Sequence, residues 1–404
     1  MDFDRRIDRI GSGALKWDSL EKNAGLPDIV PLWVADMDFP SPPEVVEALR
    51  NRAGHPVYGY TMAGPGFFEA LVGWYSDRYG VAIDSRDVLA GPGLVPSLGI
   101  AVRAFSEPAD GVLVMSPVYY PFYNIVRDNG RRVIDLPLVM DEGGRYVFSA
   151  AGFDKALKDA EHQGIRVPMM LFCSPHNPGG TVWSDEELGV LLAAARKHGL
   201  LVVSDEIHGD FVHRPRAFAS LAALPEGKDR IVVLSSANKT FNLAGLHLSH
   251  FIARDGGLRA RLKRGLEAAG YSQPNVFSLV AAEAAYRHGG PWLDELLAYL
   301  RANIDFAVRF INDTVPGIRA RAPEGTYLIW ADASELIAKA GLEDDRELAA
   351  RLEKEGRVKV TAGGIFGSGG RGFIRINVAC PRAQLGEGLA RLAGWAERHP
   401  GRSV

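Results

Sequence analysis

The sequence predicts an α/β protein of two domains, a larger one on a mostly parallel sheet and a smaller α+β one. Three observations carry this expectation. The chain has 404 residues, more than one core usually organises. From Val88 onward, apolar β-branched runs alternate with helical patterns, as βαβ units require. After about residue 285 the pattern changes to one long helix and then two alternating segments. The expected bounds are 46–285 for the large domain, and 1–45 with 286–404 for the small one.

Composition narrows the function classes. A chain that is 47% hydrophobic and 24% charged is ordinary for a globular protein in water. A net charge of −3 without a basic run argues against nucleic acid. No apolar stretch is long enough to span a membrane. The charged start, MDFDRRIDRI, is not a secretory signal, so a cytoplasmic location is expected. Cys173 and Cys380 lack metal-ligand spacing and read as buried apolar residues. His247 and His250 have no third ligand nearby and read as structural, so no metal is expected.

The elements follow in order. Residues 27–43, PDIVPLWVADMDFPSPP, read as an extended arm that packs on something, with Asp36 and Asp38 capping turns in it. Ser41, Pro42, Pro43 and Glu44 form a capping-box pattern opening a helix through Arg50. HPVYGYTMAG (55–64) is an aromatic loop, and a helix runs from Phe67 to Tyr79. VLAGPG (88–93) is a short strand entering a glycine turn, followed by an apolar helix. Residues 111–117 form a strand, 119–130 a helix and Arg132 to Leu136 a strand. Residues 167–180 form a strand that breaks sharply. Residues 184–199 form a helix whose Ser184 and Glu187 make a second capping box. Residues 200–208 and 231–239 are strands. A helix from Trp292 to Thr314 opens the last region. Residues 317–333 and 371–381 then alternate like strands with one solvated face, and a helix from Arg382 to Glu397 closes the chain.

Ligands of open α/β sheets sit outside the carboxyl ends of the strands. Four expected strands end near Tyr119, Asn177, Asp205 and Lys239. Each of these residues alone has an ordinary reading: a core tyrosine, a turn asparagine, a capping acid, a solvated lysine. Together, and in this order, they match the needs of pyridoxal 5'-phosphate. The lysine forms the Schiff base, and the acid keeps the pyridine nitrogen protonated so that the ring can accept electrons. The amide donates to the ring oxygen, and the aromatic ring stacks on the pyridine face. GPGLVPS (91–97) supplies a glycine turn into a helix, where backbone N–H groups suit a phosphate, and Ser236 can add a hydroxyl.

These stretches carry a family resemblance. PLWVADMDF (31–39), YGYT (58–61), SPVYYPFY (116–123), SPHNPGGTVW (174–183), SDEIHGDFV (204–212), SSANKTFNLAGL (235–246) and RINVACPR (375–382) run through essentially the whole chain. The chain resembles the fold-type I pyridoxal-phosphate enzymes of the aspartate aminotransferase superfamily. WVADMDF and DEIHGD are similar to the MalY/PatB branch, the cystathionine β-lyase-like C–S lyases. The resemblance implies a large domain with a seven-stranded sheet between helices, and a homodimer with shared active sites. It implies Lys239 as cofactor lysine and base, Asp205 at the pyridine nitrogen, and Asn177 and His208 at the ring oxygen. Tyr119 would stack on the ring. Leu94 and Val95, by their amides, and Ser236 would hold the phosphate. Tyr60, with Tyr58 competing, would reach the neighbouring subunit's phosphate. Arg375 and Ala35 would contact the amino-acid substrate, Arg375 clamping its carboxylate. The stretch TFNLAGLHLSH departs from many aminotransferases in having no arginine after the lysine.

Three activities stay open at this level. The resemblance implies α,β-elimination on cystathionine or cysteine-type substrates to give pyruvate, ammonia and a thiol. An aminotransferase would use the same groups. A regulatory role through a surface would need none of them.

Overall fold

A computed structural model describes residues 1–24, 28–224 and 230–399, the side chains of 21–24 excepted. Pro27, at the head of the expected arm, and residues 400–404 lie outside the described residues. The chain divides into two compact units: Met1–Pro40 with Asn177–Gly180 and Asp294–Val404, and Ser41–His176 with Thr181–Leu293.

The larger unit is built on a seven-stranded sheet. Its strands are β1 (Val88–Gly91), β2 (Gly111–Val114), β3 (Arg132–Asp135), β4 (Met169–Cys173), β5 (Leu201–Asp205), β6 (Ile231–Ser235) and β7 (Ser249–Ile252). They lie in the order β1-β7-β6-β5-β4-β2-β3. All neighbours are parallel except β7, which runs antiparallel to both β1 and β6. Every residue of β2, β4 and β5 is buried, which is why these strands read as unbroken apolar runs. Parallel pairing brings the carboxyl ends of β4, β5 and β6 to one edge, with Cys173 opposite Asp205 and Asp205 opposite Leu234.

Helices cover the faces. The helix Leu94–Phe105 buries Leu98, Ile100, Ala101, Val102 and Phe105 in a core shared with Val112, Val114, Leu171, Val203 and Leu234. The helix Asp185–Lys197 starts with the expected capping box: Ser184 Oγ accepts from Glu187 N (3.2 Å), and Glu187 Oε2 accepts from Ser184 N (2.9 Å). The other expected box is absent. The helix Pro43–Gly54 has Pro42 at its N-cap with no side-chain cap, and Ser41 Oγ donates instead to Asn242 O. A proline just before the first turn puts a ring where the capping hydroxyl would stand.

The smaller unit holds an antiparallel sheet of β8 (Arg319–Ala320), β9 (Leu328–Asp332), β10 (Thr361–Ala362) and β11 (Phe373–Asn377), in the order β8-β9-β11-β10. Neither long strand has the expected solvated face: Leu328 to Ala331 and Ile374 to Asn377 are all buried. The glycine-rich segment 363–370 explains the difference. It folds back as two tight turns, bringing Phe366 onto Trp330 at 5.4 Å between ring centroids, while Trp330 stacks on Phe373 at 5.1 Å. Hydrogen bonds tie the segment down: Asp345 accepts from Gly364 N (2.6 Å) and Gly372 N (3.1 Å). Gly363 and Gly370 pass so closely that a Cβ on Gly363 would stand 2.2 Å from Gly370 O.

The arm pairs Val30–Pro31 in parallel with Val358–Lys359. Asp36 and Asp38 do not cap turns in it. Asp38 is buried and accepts from Lys16 Nζ (2.7 Å), Arg9 Nη1 (2.6 Å), Trp17 Nε1 (3.0 Å) and Gln384 Nε2 (2.9 Å), and Asp36 binds Arg9 Nη2 at 2.7 Å. Burial opposes the charge on Asp38, but Lys16 and these donors overcome it and hold the carboxyl below its usual range.

Candidate active site

In the larger unit, β6 ends at Ser235 and the chain turns at once into the one-turn helix Ala237–Thr240. Lys239 is the third residue of that turn, not part of a loop or of a strand reaching 239. Ser236 caps the turn: its Oγ accepts from Asn238 N (3.0 Å) and donates to Leu248 O (2.5 Å). The next residue, Thr240, donates from Oγ1 to Asp210 Oδ2 at 2.6 Å. Lys239 is half-buried.

Asp205 closes β5 and is 3% exposed. Its Oδ1 accepts from Ile207 N at 3.1 Å. Burial pushes this carboxyl up to about 7, against the pull of that hydrogen bond and of the Lys239 charge. The Lys239 amine therefore acts on Asp205 through space, although the two are 34 residues apart in sequence. Glu206 lies buried beside it, accepting from Ser220 Oγ (2.5 Å), Leu221 N (2.9 Å) and Ser204 Oγ (3.0 Å), and burial carries it to about 7 as well. His208 is buried three residues beyond Asp205, and Tyr119 is half-buried beyond β2, its ring tilted against Tyr120 and edge-on to Phe122.

β1 leads through Pro92 and Gly93 into the helix Leu94–Phe105. Gly93 has φ 104° and ψ 162°, a conformation closed to other residues, and no side chain caps the helix. The amides of Leu94 and Val95 are the helix's first two N–H groups, where an anion is favoured. Gly91 is required too: a Cβ there would meet Ser97 Oγ at 2.5 Å and Ser249 Oγ at 2.7 Å.

The aromatic loop presents Tyr60 almost wholly to solvent, at 96% exposed. Tyr58 is committed locally: its hydroxyl donates to Ala53 O (2.7 Å), and the Arg52 guanidinium lies over its ring. With Pro92, His247, Tyr271 and Phe277, the two tyrosines line an open groove of about 550 Å³.

In the smaller unit, Arg375 is not a surface charge. It is 3% exposed, donates from Nη1 to Asn177 Oδ1 (3.0 Å) and from Nη2 to Trp33 O (3.1 Å), and lies 4.8 Å over the Phe366 ring. The Ala35 carbonyl accepts from Tyr327 at 2.9 Å.

Sequence reasoning did not single out Asp210, Thr240, Glu206 or Trp33. Asp210 and Glu206 stand inside DEIHGD, where two acids beside the cofactor candidate were the available signal. Among the described residues, no group of three His, Cys, Asp or Glu could hold a metal ion, and no helix is long and apolar enough to cross a membrane.

Residues 27–392 match the family described as aminotransferase class I and II. The chain is 39% identical to cystathionine β-lyase PatB of Bacillus subtilis, over 97% of this chain and 99% of that protein. It is 33% identical to protein MalY of Escherichia coli, over 97% of each chain. The crystal structure of cystalysin from Treponema denticola, which contains a pyridoxal 5'-phosphate cofactor, superposes with a TM-score of 0.91 at 32% identity, covering 98% of both chains. The chain therefore belongs to the aminotransferase class I and II family of fold-type I enzymes, in the branch that holds PatB and MalY.

Proposed function

We propose that this protein is a pyridoxal-phosphate-dependent carbon–sulfur β-lyase. With water, it converts L-cystathionine or a related cysteine thioether to a thiol, pyruvate and ammonia. Full-length kinship with a cystathionine β-lyase supports the reaction class. The observation that carries the chemistry is the buried Asp205 carboxyl at the end of β5, beside the strand that leads directly into the Lys239 turn.

The residues fit the cofactor. Burial disfavours the Asp205 charge, the Ile207 N–H and the Lys239 charge offset this in part, and a protonated pyridine nitrogen would supply further positive charge. The uncapped amides of Leu94 and Val95, after a turn that only glycine can make, suit a phosphate. Bound there, the cofactor would supply an electron sink for the charge left when the substrate Cα–H bond breaks.

The chain's own groups would do the rest. Lys239 would hold the cofactor and carry the proton taken from Cα. Asp205 would keep the ring nitrogen protonated. Asn177, oriented by Arg375, and His208 would hold the ring oxygen, while Tyr119 would cover the ring face. Arg375 would bind the substrate carboxylate with its planar fork. The one proton of Ser236 Oγ is spent on Leu248 O, so a phosphate contact there would require that bond to be exchanged. The 96% exposure of Tyr60 supports a homodimer in which this ring enters the partner's site.

The test is a product assay on the purified yellow protein, given L-cystathionine and no oxo acid. Continuing release of pyruvate and free thiol in equal amounts is expected. Turnover only after an oxo acid is added, with amino-group exchange, would make the protein an aminotransferase, as the family's name also allows.

A further inference from the structure

Asp205 ends one strand and Lys239 lies in the helical turn that follows its neighbour, so strand pairing does not by itself fix one against the other. The β5–β6 ladder ends at the Asp205–Leu234 pair, and Lys239 lies five residues further on. Beyond the ladder, Ser235 Oγ donates to Glu206 O at 3.2 Å just before the turn that carries Lys239, and side-chain bonds of Ser236 and Thr240 hold the turn itself. Ser236 Oγ reaches Leu248 O, and Thr240 Oγ1 reaches Asp210 Oδ2 at 2.6 Å. The Thr240 bond is the informative one, because Asp210 belongs to the run of turns that follows Asp205. There Gly209 N donates to Glu206 O and Phe211 N to His208 O, both at 2.9 Å. The Asp210–Thr240 bond thus closes a ring joining the Asp205 loop to the lysine turn.

Asp210 is itself clamped. Its Oδ1 accepts from Tyr79 OH (2.7 Å) and Trp74 Nε1 (3.2 Å), both on the helix Pro65–Tyr79. The Trp74 ring packs edge-on against Phe241, the residue after Thr240, at 5.3 Å. One helix therefore grips both ends of the tie. We propose that Asp210 is a positioning residue for Lys239: by accepting from Thr240, it sets where the lysine amine stands relative to Asp205. This rests on the lyase reading above. A tilt of roughly 10° at the turn swings an amine at the end of a lysine side chain by about 1 Å, and a misplacement of that size costs about 100-fold in rate.

The test compares Thr240→Val, which keeps shape and removes the donor, with Thr240→Ser, which keeps the donor. Each holoprotein is assayed for kcat and KM, for the pH midpoint of the bound cofactor's visible absorbance, and for thermal unfolding. The cofactor-free form of each is assayed for pyridoxal-phosphate affinity. Thr240→Val is expected to lose 10- to 100-fold in kcat with KM within about twofold, and to shift the absorbance midpoint; Thr240→Ser restores both. Should Thr240→Val not fold, Thr240→Ala removes the same bond and is read in the same assays. A variant without the bond whose kcat and absorbance midpoint match the parent overturns the proposal, whatever its melting temperature. If the parent itself binds no cofactor or releases no thiol, the lyase reading is what fails.

Discussion

Replacing Asp205 by Asn should stabilise the cofactor-free protein while weakening its hold on the cofactor. Burial raises this carboxyl from 3.8 to about 7. The folded form keeps its proton up to about pH 7, whereas the unfolded chain releases it near pH 4. Between those values the folded state holds more protons, so its stability falls as pH rises. A displacement of about three units, at about 1.36 kcal/mol each, amounts to about 4 kcal/mol at neutral pH. Asn keeps an Oδ1 acceptor for Ile207 N and removes the titration. It also relieves Glu206, whose own carboxyl is pushed up by burial and, in smaller part, by the Asp205 charge. Urea unfolding of both cofactor-free proteins from pH 4 to 7.5 reads the effect. The two curves should lie close together near pH 4, and the variant should gain up to about 4 kcal/mol by pH 7. Added pyridoxal phosphate should then stabilise the parent more than the variant. A stability difference that stays flat across this range, or a variant weaker than its parent at pH 7, would refute the argument that Asp205 is a buried charge awaiting a cationic partner.

Two further outcomes follow from the geometry. Gly93→Ala forces a side chain into a backbone conformation that costs about 1–3 kcal/mol, although a Cβ there would meet nothing closer than His247 Cα at 3.7 Å. The affinity of the cofactor-free protein for pyridoxal phosphate should fall about tenfold or more, as measured by equilibrium dialysis. Arg375→Lys keeps the charge but cannot serve Asn177 and Trp33 O while presenting a fork to a carboxylate. KM for cystathionine should rise at least about tenfold, and an unchanged KM would remove Arg375 from substrate binding.

Much of the fold is written in local pattern. The runs at 111–114, 169–173, 201–205 and 231–235 are mostly apolar because both faces of these strands are buried; Asp205 ends one of them, and the segments after the others carry Tyr119, Asn177 and Lys239. The Ser184–Glu187 box is legible because both partners lie within one helical turn. Where sequence reading departs from the structure, the deciding partner lies far away in the chain. Arg375 alternates with apolar neighbours as a surface charge would, but segment 363–370 and Trp33 enclose it. Asp38 looks like a turn cap until Lys16, Arg9 and Gln384 converge on it.

By itself, the sequence determined most element types, their alternation and the family, and it nominated the lysine, acid, amide and arginine. These depend on periodicity and on residue type, which local order preserves. Only tertiary structure decided the environment of each group. It placed Asp205 where burial raises its carboxyl, closed a turn over Arg375, and tied the Lys239 turn to Asp210. Desolvation and hydrogen-bond geometry arise between residues brought together by folding, and no spacing along the chain encodes them.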